Sequence, residues 1–445
     1  MTKRHGGALL SAIITLVVAL SLAIHVGVTA DDGSTGPADT LAGPSATRHS
    51  AAPVSTGTWV GAWSASPVGA EPGTEPAGLA DRSVRNVVHT GVGGTSARIT
   101  LSNLYGQEPL VLTHATIALA ATGGTAAAAG GTLRRLTFGG STTVTVPAGQ
   151  QVVSDAVRLQ VPQGADVLVT TYSPTESGPV TYHPHGRQVS YLADGDRTED
   201  ATGTPYTQQT QYWRYLTALD LLSDDADGTV VVFGDSITDG ITSTVGANHR
   251  WPDVLSARLR AAVHAGQDLP RYSVVNEGIS GNQVLADGTG RPAENQSGLG
   301  RFGRDVLGRT NVKVVVIDLG VNDILRNPRL ADPDGIVAGL RTLVREAHAH
   351  GLKVVGATLM PFGGHRGWSA ARETVRQQVN ARIRSGGVYD TVVDFDRALR
   401  DPYDPGRLRA AYDSGDHLHP SDRGYRRMAT VFDLTDLKGS AFAEL

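Results

Sequence analysis

The chain has no cysteine. That single absence excludes disulfides, a thiol nucleophile, a lipidated cysteine and thiolate-ligated zinc. A chain of 445 residues can do without such staples, because it is long enough to bury sizeable cores. Lysine is scarce too, with 4 lysines against 35 arginines. The arginines are scattered and the formal net charge is −4, so no basic patch for nucleic acid forms along the sequence. Aromatics make up only 5% and charged residues 18%, a soluble globular composition with room for two domains.

What is present begins with an apolar stretch at the N-terminus. Lys3 and Arg4 precede a run from Ala8 to Ile24 that only Ser11, Thr15 and Ser21 interrupt. Val28-Thr29-Ala30 then offers a small-residue cleavage site. This pattern predicts a secretory signal over residues 1–30, hence an extracellular protein with no stable membrane anchor after cleavage. The alternative is an uncleaved anchor, since the run approaches spanning length. Cleavage would take the net charge from −4 to −6, because the leader holds two basic residues and no acid. Residues 31–57 are rich in Ser, Thr, Gly, Pro and Ala without periodicity, which predicts a disordered linker.

From residue 58 to 222 the pattern is that of short strands. Ala97–Ser102 alternates apolar and polar residues, and Leu110–Ala118, Thr142–Val146, Ala156–Val161 and Val167–Tyr172 are further short runs. Turn residues punctuate them every 8–12 positions or so, the rhythm of a β-sandwich. Ala120–Gly131 is too small-residued to pack and reads as a loop. His183 and His185 would share a face on a strand, which makes metal binding conceivable, but Pro184 between them argues for an edge or turn. Trp59, Trp63 and Trp213 suit a core better than a sugar-stacking platform.

After Thr229 the rhythm becomes strand, helix, strand, helix. Val230–Phe233, Tyr272–Asn276, Val312–Leu319, Lys353–Thr358 and Val392–Phe395 are the expected strands. Continuous apolar runs of this kind indicate a parallel sheet covered on both faces. The intervening helices are expected over Trp251–Val263, around Ile336–Ala347 and over Ser369–Arg384, with a last one capped by Ser421 and ending near Phe432. The expected fold class is therefore α/β, a three-layer domain over residues 229–435 preceded by a β-sandwich over 58–222.

In a parallel sheet all the strand ends share one edge, and chemistry gathers there. The first strand ends in Gly234-Asp235-Ser236, the second in Asn276 through Asn282, and the third in Gly320-Val321-Asn322-Asp323; Asp416-His417-Leu418-His419 follows the fifth. A serine hydroxyl needs an adjacent base to become a nucleophile, and His419 can serve. Asp416, three residues earlier, can orient that imidazole. An acyl-transfer intermediate places charge on oxygen, which needs preorganised donors. The backbone N–H of Ser236, the N–H of Gly281 and the side chain of Asn322 are the candidates. His417 could instead be the working histidine, and Asp416, His417 and His419 could be metal ligands, although two histidines and one carboxylate are a weak signature without a fourth partner. Asp235, Asp239 and Asp323 suit turns held by backbone N–H groups. Trp251 and Glu277 read as structural. Every candidate lies between Ser236 and His419, so residues 58–222 are expected to be dispensable for the chemistry.

These blocks resemble the GDSL, or SGNH, hydrolase superfamily, whose serine, glycine, asparagine and histidine are matched here by Ser236, Gly281, Asn322 and His419. The match covers about residues 229–430, and its one departure is Ile237, where the family name has leucine. The resemblance implies a flavodoxin-like sheet and an ester hydrolase without a metal cofactor. The β region, with Ser102-Asn103-Leu104-Tyr105-Gly106 and Tyr182-His183-Pro184, resembles that of secreted actinobacterial GDSL proteins of an arylesterase-like kind. That implies short acyl esters, such as acetyl groups on polysaccharide. A lipase or phospholipase of the same superfamily, or a carbohydrate- or surface-binding protein that has lost activity, are the competing readings.

Overall fold

The computed structural model describes residues 57–288, 295–327 and 329–439. The expected signal and, apart from Gly57, the expected linker lie outside the described residues. Among the described residues no helix is long and apolar enough to cross a membrane.

The C-terminal part is built on five parallel strands: β1 (Gly228–Gly234), β2 (Tyr272–Gly278), β3 (Val312–Asp318), β4 (Lys353–Ala357) and β5 (Thr391–Val393). Their order is β2-β1-β3-β4-β5. One step to one side followed by steps to the other is the flavodoxin-like arrangement. Right-handed crossovers then put the connecting helices on opposite faces. Val230 to Phe233 and Val314 to Ile317 are fully buried, as two-sided coverage requires.

The helices are α1 (Ser236–Asp239), α2 (Trp251–His264), α3 (Gly298–Phe302), α4 (Val321–Leu325), α5 (Pro333–Ala349), α6 (Ala370–Arg384), α7 (Phe395–Leu399) and α8 (Asp422–Val431). The caps fall where their chemistry suggests. Ser369 accepts the Arg372 N–H, Ser421 accepts the Gly424 N–H, and Gly351 follows α5 at φ 71°. A short 3₁₀ turn, Leu434–Leu437, closes the core with Leu437 fully buried.

The N-terminal part is antiparallel. One sheet runs Thr58–Ser64, Leu216–Ser223, Gly94–Ser102 and Val157–Val161; the other is centred on Arg82–His89, Asp166–Ser173 and His114–Leu119. Their facing side chains form one core that includes Trp63 and Trp213, whose rings meet edge to face at 4.9 Å. The long run expected over Leu110–Ala118 divides into Leu110–Leu112 and His114–Leu119, because the first piece pairs with Val144–Val146 and the second joins the sheet of Asp166–Ser173. Residues 120–131 form a loop, yet Ala126 packs into a small satellite core.

Only residues 224–227 join the last antiparallel strand to β1. Polar contacts cross the seam between the two parts. The Gly61 N–H donates to Thr229 Oγ1 at 3.0 Å, and Ser66 Oγ donates to the buried Glu277 carboxylate at 2.5 Å.

Candidate active site

Ser236 begins α1 directly after β1 and is 7% exposed. Asp235 caps that turn, accepting the Ile237 N–H at 3.0 Å. As the first residue of the helix, Ser236 has a backbone N–H with no intrahelical acceptor. Its Oγ lies 2.8 Å from His419 Nε2. On the other side of that ring, Nδ1 lies 2.6 Å from Asp416 Oδ2. Asp416 Oδ1 in turn accepts the backbone N–H groups of Leu418 and His419 at 2.9 and 2.8 Å. Burial opposes ionisation of Asp416, but the hydrogen bonds from the His419 ring and these backbone donors outweigh it and hold the carboxyl down at about 2.

His417 faces elsewhere. Its Nδ1 lies 2.6 Å from Asp413 Oδ2, so the histidine that meets Ser236 is His419. Both ring nitrogens of His419 are engaged, which leaves it no free lone pair to join Asp416 and His417 around a metal. Among the described residues no group of three or more His, Cys, Asp or Glu side chains is placed to hold a metal ion.

Gly281 stands in the turn after β2 at φ 79°, a conformation that favours glycine. A Cβ there would come within 2.4 Å of the Arg326 guanidinium. Gly278 is needed for a different reason: a Cβ would approach the Asp239 backbone nitrogen to 2.3 Å, so only glycine lets the end of β2 lie against α1. Asn276 shapes the same junction, donating to the Thr238 carbonyl at 2.7 Å and accepting the Gly278 N–H at 2.9 Å.

Asn322 enters at the start of α4 from the end of β3. Its Nδ2 donates to Asp235 Oδ2 at 3.3 Å, and its Oδ1 accepts Arg326 Nε at 3.2 Å. These two partners set the amide orientation and turn the nitrogen toward the Ser236 turn. Asp323, next along, accepts the Val284 and Leu285 N–H groups at 2.8 and 3.0 Å and fixes the loop after Gly281; burial raises its carboxyl to about 6.

Two residues bear on this constellation that the sequence pattern does not place there. Arg301, fully buried, donates to the carbonyls of Gly234 and Glu277 at 2.9 and 2.8 Å and to Asn282 Oδ1 at 3.0 Å. It thereby ties together the ends of β1 and β2 and the residue after Gly281. The other is His183 of the antiparallel part, which lies 3.0 Å from Asp239. The antiparallel part thus reaches the helix that Ser236 begins, although every candidate catalytic and oxyanion group lies outside residues 58–222. The sequence offered only the spacing of His183 and His185 as a signal, and the strand ends at His183 before that pair can share a face.

Residues 232–427, a little under half of the chain, match the model of the GDSL-like lipase/acylhydrolase family. No curated protein matches the chain. Among solved structures, an acetylxylan esterase from Geobacillus stearothermophilus is similar at 23% identity, covering 48% of this chain and 94% of its own, with a TM-score of 0.36. A carbohydrate acetylesterase family member from Sinorhizobium meliloti is similar at 17% identity over 46% of this chain and 94% of its own, TM-score 0.37. A lipolytic protein of the G-D-S-L family from Desulfitobacterium hafniense DCB-2 is similar at 20% identity over 46% of this chain and 97% of its own, TM-score 0.35. Ser236, Gly281, Asn322, Asp416 and His419 all fall inside the matched segment, and the chain carries a hydrolase domain of the GDSL-like lipase/acylhydrolase family.

Proposed function

We propose that the protein is a secreted serine esterase acting on short acyl esters, acetyl above all, of carbohydrate or aryl alcohols. The observation that carries this reading is the line Ser236 Oγ, His419, Asp416, with contacts of 2.8 and 2.6 Å. His419 takes the hydroxyl proton as Oγ attacks the ester carbonyl. Asp416 keeps the ring oriented and stabilises the imidazolium. The N–H groups of Ser236 and Gly281 and Asn322 Nδ2 receive the carbonyl oxygen as it becomes an oxyanion. His419 then returns the proton to the departing alcohol. Water, activated by the same histidine, cleaves the acyl-serine and releases the acid. No step calls for a metal or cofactor.

The surroundings support a polar alcohol. A cavity of about 270 Å³ beside the Gly281 turn is lined by Ser280, Asn295, His185 and Arg326, with Val68 and Pro184. Such donors and acceptors suit sugar hydroxyls. A lipase reading has one observation in its favour: Leu285, Leu330 and Trp368 are exposed on the loops that leave the ends of β2, β3 and β4.

A fluorophosphonate probe tests the nucleophile. It is expected to label the wild type and not Ser236→Ala, which would also separate an enzyme from a binding protein. A Ser236→Ala variant with half of wild-type activity would defeat the assignment. A series of esters from acetyl to palmitoyl tests the acyl preference: a rate falling with chain length supports the short-acyl reading, and a rising one the lipase reading. Secretion is tested by the N-terminal residue of the protein recovered from the medium.

A further inference from the structure

His183 has no part in the proposed reaction, yet it is built into the structure with unusual care for a histidine. It is 3% exposed, and the Trp213 ring lies against it at 5.5 Å. Its Nδ1 is 2.8 Å from the Ser66 carbonyl and its Nε2 is 3.0 Å from Asp239 Oδ1. A carbonyl can only accept, so Nδ1 carries a proton. Asp239 is 2% exposed, and its Oδ2 accepts both the N–H and the hydroxyl of Ser280, at 3.1 and 2.5 Å. Burial opposes the Asp239 charge, but His183 and the Ser280 hydroxyl hold its carboxyl below the ordinary value, which favours a carboxylate facing a protonated ring. Burial pulls the proton affinity of His183 down and the nearby Arg250 cation works the same way, but the Asp239 charge and hydrogen bond, with the Ser66 carbonyl, push it up by more. His185, also close to Asp239, is pushed down by its own burial. The cation that compensates Asp239 is thus supplied across the seam by the antiparallel part.

Asp239 is the last residue of α1, three after Ser236, and Ser280 immediately precedes Gly281. We propose that His183 is a positioning residue for the oxyanion turn: it keeps Asp239 charged, and Asp239 clamps Ser280 so that the Gly281 N–H stays aimed at the position the oxyanion occupies. The inference rests on the serine esterase reading. It touches a donor that matters most in the transition state, so its loss falls on kcat rather than on KM.

The test uses the full chain and p-nitrophenyl acetate, with His183→Ala, His183→Gln and Ser280→Ala compared with wild type. Folding is checked for each by circular dichroism, and rates are taken per folded enzyme. His183→Ala is expected to lower kcat by about 10²-fold, the scale of one lost oxyanion donor, with KM within about threefold. His183→Gln keeps an N–H for Asp239 but not the cation, and is expected to recover only part of that loss. A folded His183→Ala with kcat within threefold of wild type, or with the loss confined to KM, overturns the proposal. Where His183→Ala does not fold, Ser280→Ala decides. It keeps the buried pair and removes one of the two bonds to Ser280; a kcat loss greater than threefold at unchanged KM supports the clamp, and anything else overturns it. Failure of the esterase reading itself is seen separately, as a wild type that the fluorophosphonate does not label.

Discussion

Asn322 gives its side-chain nitrogen to the carboxyl of Asp235, the residue before the candidate nucleophile, at 3.3 Å. That bond uses one of two amide hydrogens and leaves the second for a substrate. Asp235 is itself 1% exposed, and burial together with the neighbouring charge of Asp318 pushes its carboxyl well up. Asn322→Ala is expected to lower kcat by about 10²–10³-fold with a smaller change in KM, because the lost donor faces charge that exists mainly in the transition state. Steady-state kinetics on an acetyl ester check this. An effect on KM alone would make Asn322 a substrate-binding residue only.

Asp416→Asn is expected to cost about 10⁴-fold in kcat, since an amide beside Nδ1 favours the wrong tautomer. The same substitution has a signature in stability. The Asp416 carboxyl titrates at about 2 in the folded chain against an ordinary 3.8, so its pairing stabilises the fold fully above the ordinary value. That contribution fades as pH falls toward about 2. The difference in denaturant midpoint between wild type and variant is therefore expected at pH 6 and should shrink at pH 2.5; a difference that grows in acid contradicts the pairing.

Asp318 should behave in the opposite sense. It is 5% exposed and burial raises it to about 6, although Thr238 donates to it at 3.0 Å. Between its ordinary 3.8 and about 6 the folded chain holds a proton that the unfolded chain has lost. Stability therefore falls as pH rises through that interval. Asp318→Asn removes the titration, so the variant should gain on wild type by on the order of 2–3 kcal/mol between pH 4 and pH 7. Urea midpoints at both pH values check this, and a constant difference would show that Asp318 is not the group responsible.

Arg301→Leu is expected to cost about 3–5 kcal/mol, the scale of several buried acceptors losing their donor at once. The substitution would leave the Gly234 and Glu277 carbonyls and Asn282 Oδ1 without their donor, while the buried Asp305 would keep Arg304 at 2.6 and 2.8 Å. Chemical denaturation measures the loss. A cost below about 1 kcal/mol would mean that water or a neighbouring donor takes over these acceptors.

Much of this protein is legible in its amino-acid order, for reasons tied to particular stretches. Val230–Phe233 and Val312–Leu319 are apolar without alternation because a parallel sheet is covered on both faces, and that alone predicts the three layers. Parallel strands share one edge, so the serine, glycine, asparagine and histidine blocks are expected together once the strands are placed. Asp416 reaches His419 within one turn of chain, a local relation that spacing can express. Strand ends are less legible: Leu110–Ala118 reads as one run and divides at Thr113, because its two halves find different partners.

The supports of the site belong to tertiary structure. Ser66 and Arg301 are 235 positions apart, and His183 and Asp239 are 56 apart. A buried arginine or histidine looks like any surface one in sequence, since its value depends on which acceptors the fold brings to it and on the water the fold removes. The sequence by itself determined the sheet and its chemical edge, and it named the candidate groups that meet there. Packing of the antiparallel part against that edge alone brought His183 to Asp239, because their contact depends on burial and on partners that only the fold supplies.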